Sequence, residues 1–137
     1  MTEYFLRIDP FDMFPHVISA ERDQNGSLLD MFYREINCDT IDIVHTRWLF
    51  IDDQILFVCD DNALINGLQK FNAVATMLYC SKSQIFGSVI VGLSGTYDGE
   101  PDIVGFRSET DAEFTAMMIR KRIVGVDDDP YEYGVRD

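Results

Sequence analysis

Basic residues are scarce in this chain. Eleven Lys and Arg stand against twenty-four Asp and Glu in 137 residues, which leaves a formal net charge of −13. A field of that sign repels phosphate groups, so it disfavours direct nucleic-acid binding through a basic patch. It also disfavours the anionic surface of a membrane. Two roles stay open for the charge: solubility, and binding to basic protein surfaces, including those that normally hold DNA or RNA.

Long apolar runs are missing as well. No stretch approaches the ~20 residues that a membrane-spanning helix needs, and the opening residues MTEYFLRIDPFDMF lack the basic region and apolar run of a secretory signal. The three cysteines, Cys38, Cys59 and Cys80, form no CxxC pair and suit a reducing compartment. We therefore expect a cytoplasmic protein that does not bind membranes.

The sequence also lacks the usual signatures of chemistry. The segment Gly92–Gly95 has neither the length nor the lysine of a phosphate loop, and there is no GxSxG motif. Asp60-Asp61 and the aspartates at 127–129 fail the spacing of an EF-hand. Because His16 and His45 lie far apart in the sequence, we expect no zinc site. We expect no cofactor and no catalytic residues, although a carboxylate pair assembled only by the fold would escape this test.

Strand patterns occur at five places in the chain. Apolar residues make up 47% of the sequence and aromatic residues 12%, enough for one core. Alternating or continuous apolar runs predict the strands Tyr4–Ile8, His16–Ala20, Ile41–Thr46, Ile55–Cys59 and Ser88–Leu93. The residues around Asp52-Asp53 predict a turn that joins the third and fourth strands as a hairpin. Gly95–Pro101 is predicted to be a loop.

Helix signals occur at three places. Ser27, with Asp30 three residues later, predicts the start of a helix that ends near Asn37. Asn72 is the predicted N-cap of a short helix, and a capping box starts a third at Ser108 or Thr110. The predicted fold class is α+β: a small mixed, mostly antiparallel sheet with about three helices packed on it as a single layer pair. We expect one domain over residues 1–126, followed by an acidic, mobile tail at 127–137.

Some side chains carry separate expectations. His45 shares a strand face with two isoleucines, which favours a partly buried, hydrogen-bonded structural histidine. The apolar loop Phe11–Pro15 is expected to cover the core. On the last helix, Phe114, Met117 and Met118 are expected to be core residues; the alternative is that they face a partner, since methionine adapts to irregular surfaces.

The stretch Ile55–Leu78 has the clearest pattern in the chain: an apolar strand, an acidic turn, the Asn66-Gly67 turn and a short helix. It supplies most of the candidate binding residues, which we expect to act first as turn and cap residues. These candidates are Asp60, Asp61, Asn62, Asn72 and, from the later strand, Gly92.

The runs ILFVCDDNALINGLQKFNAVAT, IFGSVIVGLSGTYDGE and FRSETDAEF together resemble the small bacterial and phage domain-of-unknown-function family 3846. The resemblance covers roughly residues 28 to 118. It implies a phage or mobile-element origin, with the bacterial host cytosol as location, and it implies no established reaction.

Three functional hypotheses follow. The first is an accessory protein that binds a basic host protein through an acidic surface, for example as an inhibitor or nucleic-acid mimic of a defence nuclease. The second is a module that binds a small, nucleotide-derived signal between the Gly67 loop and the Gly92 strand. The third is a structural subunit, including a homo-oligomer. One continuous acidic face would favour the first hypothesis, whereas evenly spread acids would favour solubility alone.

Overall fold

The computed structural model describes residues 1–46, 55–62, 70–79 and 84–124. In these ranges the chain forms six strands and three helices, which confirms the predicted α+β class. The strands are β1 (Thr2–Ile8), β2 (His16–Glu21), β3 (Ile41–His45), β4 (Ile55–Asp60), β5 (Val89–Tyr97) and β6 (Glu100–Val104). The helices are α1 (Leu29–Ile36), α2 (Ala73–Tyr79) and α3 (Glu109–Val124). None of the helices in these ranges has the length and apolar character needed to cross a membrane.

The six strands form one sheet in the order β2–β1–β5–β4–β3, with β6 paired to β5. All described pairings are antiparallel. β5 is the central strand: Val89–Val91 pairs with β1, and Leu93–Tyr97 pairs with β6. β1 pairs with β5 only through residues 6–8. Nearer the start of β1, an isolated bridge between Tyr4 and Phe106 connects β1 to the residues that follow β6. The described part of the sheet therefore ends in β2 on one side and β3 on the other.

Helices cover both faces of this sheet, where a single layer pair was expected. Alternate residues of the central strands point to opposite sides, and both sets are buried. Ile55, Phe57, Val89 and Val91 pack with α2 and α3, through residues that include Leu78 and Ile119. Leu56, Val58 and Ile90 pack with α1, through Met31, Phe32 and Ile36. The continuous apolar run of β4 reflects burial on both faces.

The ends of the helices follow from short polar side chains. The Ser108 hydroxyl accepts a hydrogen bond from the Asp111 N–H at 3.1 Å, so α3 begins after Ser108 rather than after Thr110. The Ser27 hydroxyl accepts from the Leu29 N–H, and Leu28 occupies the N-cap of α1, one residue later than predicted. At the other end, Asn37 adopts a left-handed conformation with φ 62° and stops α1 as predicted.

The segment Gly95–Pro101 is a β-hairpin, so the prediction of a loop was wrong. Residues up to Tyr97 belong to β5, and β6 starts at Glu100. Between them, Asp98 and Gly99 both have positive φ, at 53° and 83°. Two such residues form the tight turn whose twist matches that of paired strands. The Asp-Gly dipeptide was the signal for this hairpin.

Burial of several apolar side chains differs from the predictions. Phe11 is 87% exposed and Met13 52%, so these two residues do not cover the core, whereas Phe14 and Pro15 of the same loop are half-buried. On α3, Phe114 is 58% exposed and Met117 44%, Met118 is half-buried, and Ile119 is fully buried. The reason is that Ala112, Thr115 and Ile119 form the face of α3 that meets the sheet, which turns the two larger residues outward.

His45 is exposed, contrary to the prediction of partial burial. It lies at the end of the outermost described strand, opposite Leu56 of β4. The predicted turns at Asp52-Asp53 and Asn66-Gly67, and the acidic tail at 127–137, lie outside the described residues.

Candidate functional site

A groove of about 590 Å³ opens on the face of the sheet that carries α1. The helix on this face, α1, has eight residues, which span about 12 Å. Leu56, Ser94 and Ile103 form the floor of the groove, and the first turn of α1 forms one wall. The full lining is Gly26, Ser27, Leu28, Leu29, Phe32, Ile41, Ile43, His45, Leu56, Ser94, Pro101, Asp102 and Ile103.

The groove is mostly apolar, with few polar groups. Two of its apolar side chains are substantially exposed: Ile43 of β3 at 41% and Leu29 of α1 at 44%. Its polar side chains include His45, Ser94 and Asp102. Because β3 is the outermost described strand on its side of the sheet, the groove is bounded there by a sheet edge. Concave, mainly apolar surfaces with a few placed polar groups are the usual setting for binding.

β6 forms one wall of the groove, and Arg22 holds this wall in place. Its guanidinium donates to the carbonyl of Ile103 at 2.7 Å, to the carboxylate of Asp102 at 2.9 Å and to the carbonyl of Gly26 at 3.1 Å. It also binds Glu3 of β1 at 2.7 Å, and its side chain is only 5% exposed. One buried cation thus joins β1, β6 and the loop that leads into α1.

Acidic residues are concentrated on the elements that bound the groove. The stretches 27–46, 55–62 and 89–104 carry nine acids and a single base, Arg34. The other described stretches, 1–26, 70–79, 84–88 and 105–124, carry eight acids and seven bases. The nine acids are Asp30, Glu35, Asp39, Asp42, Asp60, Asp61, Asp98, Glu100 and Asp102. Nearly all the excess negative charge of the described residues therefore lies on the elements that bound the groove.

Three of the predicted binding residues lie together at the end of β4. Asp60 is buried opposite Ile41 and accepts a hydrogen bond from the Asn62 N–H at 2.9 Å. The Asn62 amide donates to the Thr40 hydroxyl at 2.8 Å, and the Asp61 N–H donates to the Thr40 carbonyl at 3.2 Å. These bonds close the turn onto the start of β3, the turn role that the sequence predicted first.

The other two predicted residues lie elsewhere. Asn72 is fully buried at the start of α2, where its amide donates to the carbonyls of Ile8 and Gly87. Gly92 is buried in β5 opposite Leu56, and a Cβ there would lie 3.2 Å from Phe5 and Ile103. Gly92 thus allows close packing beneath the groove, and the Gly67 loop proposed as its partner lies outside the described residues.

A second polar cluster joins Asp9, Asp12 and His16 in the connection between β1 and β2. One ligand atom from each of the three side chains lies within 4.8 Å of the others. The sequence argument weighed only the two histidines as zinc ligands, which are far apart. Spacings of three and four residues across a tight loop were the signal that it missed.

Two cysteines beside the acidic turn are poor nucleophiles. Burial, reinforced by the charge of Asp60, raises the pKa of Cys38 to about 11. Burial, reinforced by Asp42, raises the pKa of Cys59 to about 12. Both thiols are therefore protonated at neutral pH, which argues against their use as catalytic nucleophiles.

These pKa values predict slow alkylation of the folded protein. In a Cys80→Ser variant, iodoacetamide should modify Cys38 and Cys59 at least about tenfold more slowly at pH 8 than in the same variant unfolded in urea, because only the thiolate reacts. Mass spectrometry over time measures both rates. Equal alkylation rates in the folded and unfolded samples would contradict the raised pKa values.

The raised pKa values of Cys38 and Cys59 also make stability depend on pH. They favour the folded state below the unfolded pKa of 9.0, and this contribution is lost as the pH rises toward 11 and 12.

No family model, no curated protein and no solved structure matches this chain. The resemblance to the family of phage domains stays a prediction.

Proposed function

We propose that this domain is a binding protein that takes a basic segment of a partner protein into the groove between α1 and the sheet. The observation that carries the proposal is the charge distribution: nine acids and one base on the elements that bound an apolar groove, against a near balance of eight acids and seven bases in the other described stretches. Apolar side chains of the partner would enter the groove, and its cations would meet the surrounding carboxylates.

The arrangement of the groove supports a protein segment as occupant. Ile43 and Leu29 offer exposed apolar surface on opposite walls, and β3 presents a sheet edge beside them. Arg22 holds the β6 wall in place before binding, which lowers the ordering cost of association. A surface of this charge competes for basic sites that otherwise hold phosphates. The partner class we propose is therefore a basic host protein that handles nucleic acid, such as a defence nuclease.

The first test uses a short fluorescent peptide of alternating arginine and leucine, titrated with the full chain and followed by anisotropy. Binding should be measurable at about 0.01 M ionic strength and should weaken at least about tenfold at 0.15 M, because the Debye length falls from about 30 Å to about 8 Å. A peptide of alternating arginine and serine should bind more weakly, since it has no apolar side chains for the groove. Absence of binding at low salt would refute the proposal.

A matched pair of variants locates the binding surface. Ile43→Arg places a cation in the groove and should weaken peptide binding by about tenfold or more, since like charges placed together cost several kcal/mol. Phe114→Arg makes the same change in charge on α3, at another exposed apolar residue, and should change affinity by less than about twofold. Equal losses in the two variants would show that net charge alone, and not the groove, attracts the peptide.

A small ligand is the competing occupant, because the groove volume lies within the ~300–1,000 Å³ of small-molecule sites. A thermal-shift screen with nucleotides separates the two ideas. A saturating nucleotide that raises the melting temperature of the parent but not of Ile43→Glu, which places an anion in the groove, would locate the nucleotide there and would count against the peptide.

A further inference from the structure

The connection between β1 and β2 brings together three side chains that are all metal ligands. Asp9 follows the last residue of β1, and His16 opens β2. Asp12 lies between them, in a loop in which Phe11 has a positive φ of 67°. The Asp12 carboxylate lies 2.5 Å from Nε2 of His16. Across the described residues, this is the one group of three His, Cys, Asp or Glu side chains close enough to share an ion.

The distances suit a small divalent ion. Ligand atoms bound to one Zn²⁺ at about 2.1 Å lie no more than about 4.2 Å apart. The three atoms here lie within 4.8 Å of one another before any ion is bound, so closing the shell requires movements of less than about 1 Å in an exposed loop. Two carboxylates with one imidazole form a mixed oxygen–nitrogen set, which suits a first-row transition metal better than Ca²⁺ or Mg²⁺.

Groups outside the cluster orient its ligands. The Ser88 hydroxyl donates to Asp9 Oδ1 at 2.6 Å, and Nε of Arg7 donates to the same carboxylate at 3.0 Å. The Phe14 N–H donates to Asp12 Oδ1 at 3.1 Å, which leaves Oδ2 directed at His16. Metal ligands are typically held by such outer hydrogen bonds.

The local charge also favours a cation. Arg7 binds Glu35 at 2.7 Å in addition to Asp9, so its positive charge is shared between two acids. Asp9, Asp12 and Glu35 together outnumber the two local cations, Arg7 and Arg34, which lies 3.5 Å from Glu35, by one.

From this geometry we infer a divalent transition-metal site formed by Asp9, Asp12 and His16, with Zn²⁺ as the reference ion and water completing its coordination. The site is independent of the groove. His16 pairs with Arg7 near the end of β1, whereas Glu3, which binds the groove residue Arg22, lies near its start. Four residues of extended strand separate these positions by about 13 Å.

Isothermal titration of the full-length Cys80→Ser chain with Zn²⁺ tests the inference, because removal of Cys80 eliminates the one thiol outside the described residues. The chain has two histidines, which supplies a matched control: His16 is in the cluster and His45 is exposed on β3. His16→Gln should weaken Zn²⁺ binding at least about tenfold, and Asp12→Asn should do the same, whereas His45→Gln should change it by less than about twofold. Saturating Zn²⁺ should also raise the melting temperature of the parent and of His45→Gln, but not of His16→Gln.

Three outcomes would overturn the inference. The first is no detectable Zn²⁺ binding by the parent, which would leave Asp12 and His16 as an ordinary ion pair. The second is undiminished binding by His16→Gln, which would indicate an adventitious ion only, held by other acids. The third is an equal loss in His16→Gln and His45→Gln. Circular dichroism of each variant without metal confirms that the fold is intact before the affinities are compared.

Discussion

Replacing Arg22 with methionine is expected to lower the free energy of unfolding by about 3–5 kcal/mol, the usual cost of removing one partner from a buried ion pair. The guanidinium is 5% exposed in its side chain and lies between two acids, Glu3 and Asp102. Without it, the 17% exposed carboxylate of Glu3 loses a charged partner at 2.7 Å and retains the Gly105 N–H at 3.0 Å. Burying an acid without its cation accounts for most of the loss.

Arg22 also donates hydrogen bonds to two backbone carbonyls and makes a cation–π contact. The carbonyls of Ile103 and Gly26 each accept one of its N–H groups, and the guanidinium lies 4.0 Å from the centre of the Tyr97 ring. Lysine cannot reach all of these partners, because it lacks the planar fork of five donors. Arg22→Lys should therefore recover only part of the stability lost in Arg22→Met.

Urea unfolding measures these changes, with Arg34→Met as the matched control. Arg34 is 66% exposed in its side chain and lies 3.5 Å from Glu35, so its replacement should cost less than about 1 kcal/mol. The contrast tests burial rather than charge, because both variants remove one positive charge. Similar losses in the two variants would contradict the role assigned to Arg22. Because Arg22 holds the β6 wall, Arg22→Lys should also weaken peptide binding in the groove.

Local signals in the sequence were sufficient to predict most of the strands and helices. The alternation in β3, the continuous apolar run of β4 and the capping box at Ser108 each depend on residues a few positions apart. Such patterns are set by the geometry of one strand or one helix end, which is why they can be read without the fold. The Asp98-Gly99 turn carried an equally local signal, so the missed hairpin was within reach of the same reasoning.

The groove could not be predicted in this way, because it depends on contacts between distant parts of the chain. Arg22 binds Asp102 across 80 positions, and no spacing in the sequence relates the two residues. The exposure of Phe114 depends on which face of α3 packs against the sheet. That face includes the small residue Ala112, which is fully buried. The concentration of acids on the elements around the groove likewise appears only when the strands are placed in order.

Asn72→Ala is the second change expected to destabilise the fold strongly, by about 3–4 kcal/mol. Asn72 was predicted as a helix cap, and its Oδ1 does accept from the Ala75 N–H at 3.0 Å. The fold adds a second role, since the amide nitrogen donates to the Ile8 carbonyl at 2.9 Å and to the Gly87 carbonyl at 2.8 Å. The side chain thus joins the end of β1, the approach to β5 and the start of α2 inside the core.

The size of this loss follows from the number of buried groups left without a partner. Removing a helix cap costs about 1 kcal/mol, and each of the two carbonyls deprived of its donor adds about 1–1.5 kcal/mol, the lower part of the range for a buried group, because a carbonyl oxygen has a second lone pair. Alanine leaves no atom that can replace any of the three bonds, and a fully buried site has little room for water. Ser108→Ala removes the comparable cap of α3, at a residue without these additional roles, and should cost only about 1 kcal/mol.

Two further substitutions separate the cap from the amide donors. Asn72→Ser retains a cap oxygen and loses both donors, so it should remain about 2–3 kcal/mol less stable than the parent. Asn72→Asp retains the shape and the cap but turns a carboxylate oxygen toward two carbonyls, and it should be at least as damaging as alanine. Urea unfolding gives all four values. If Asn72→Ala were no worse than Ser108→Ala, the two carbonyls would not depend on Asn72, and the residue would be a helix cap alone.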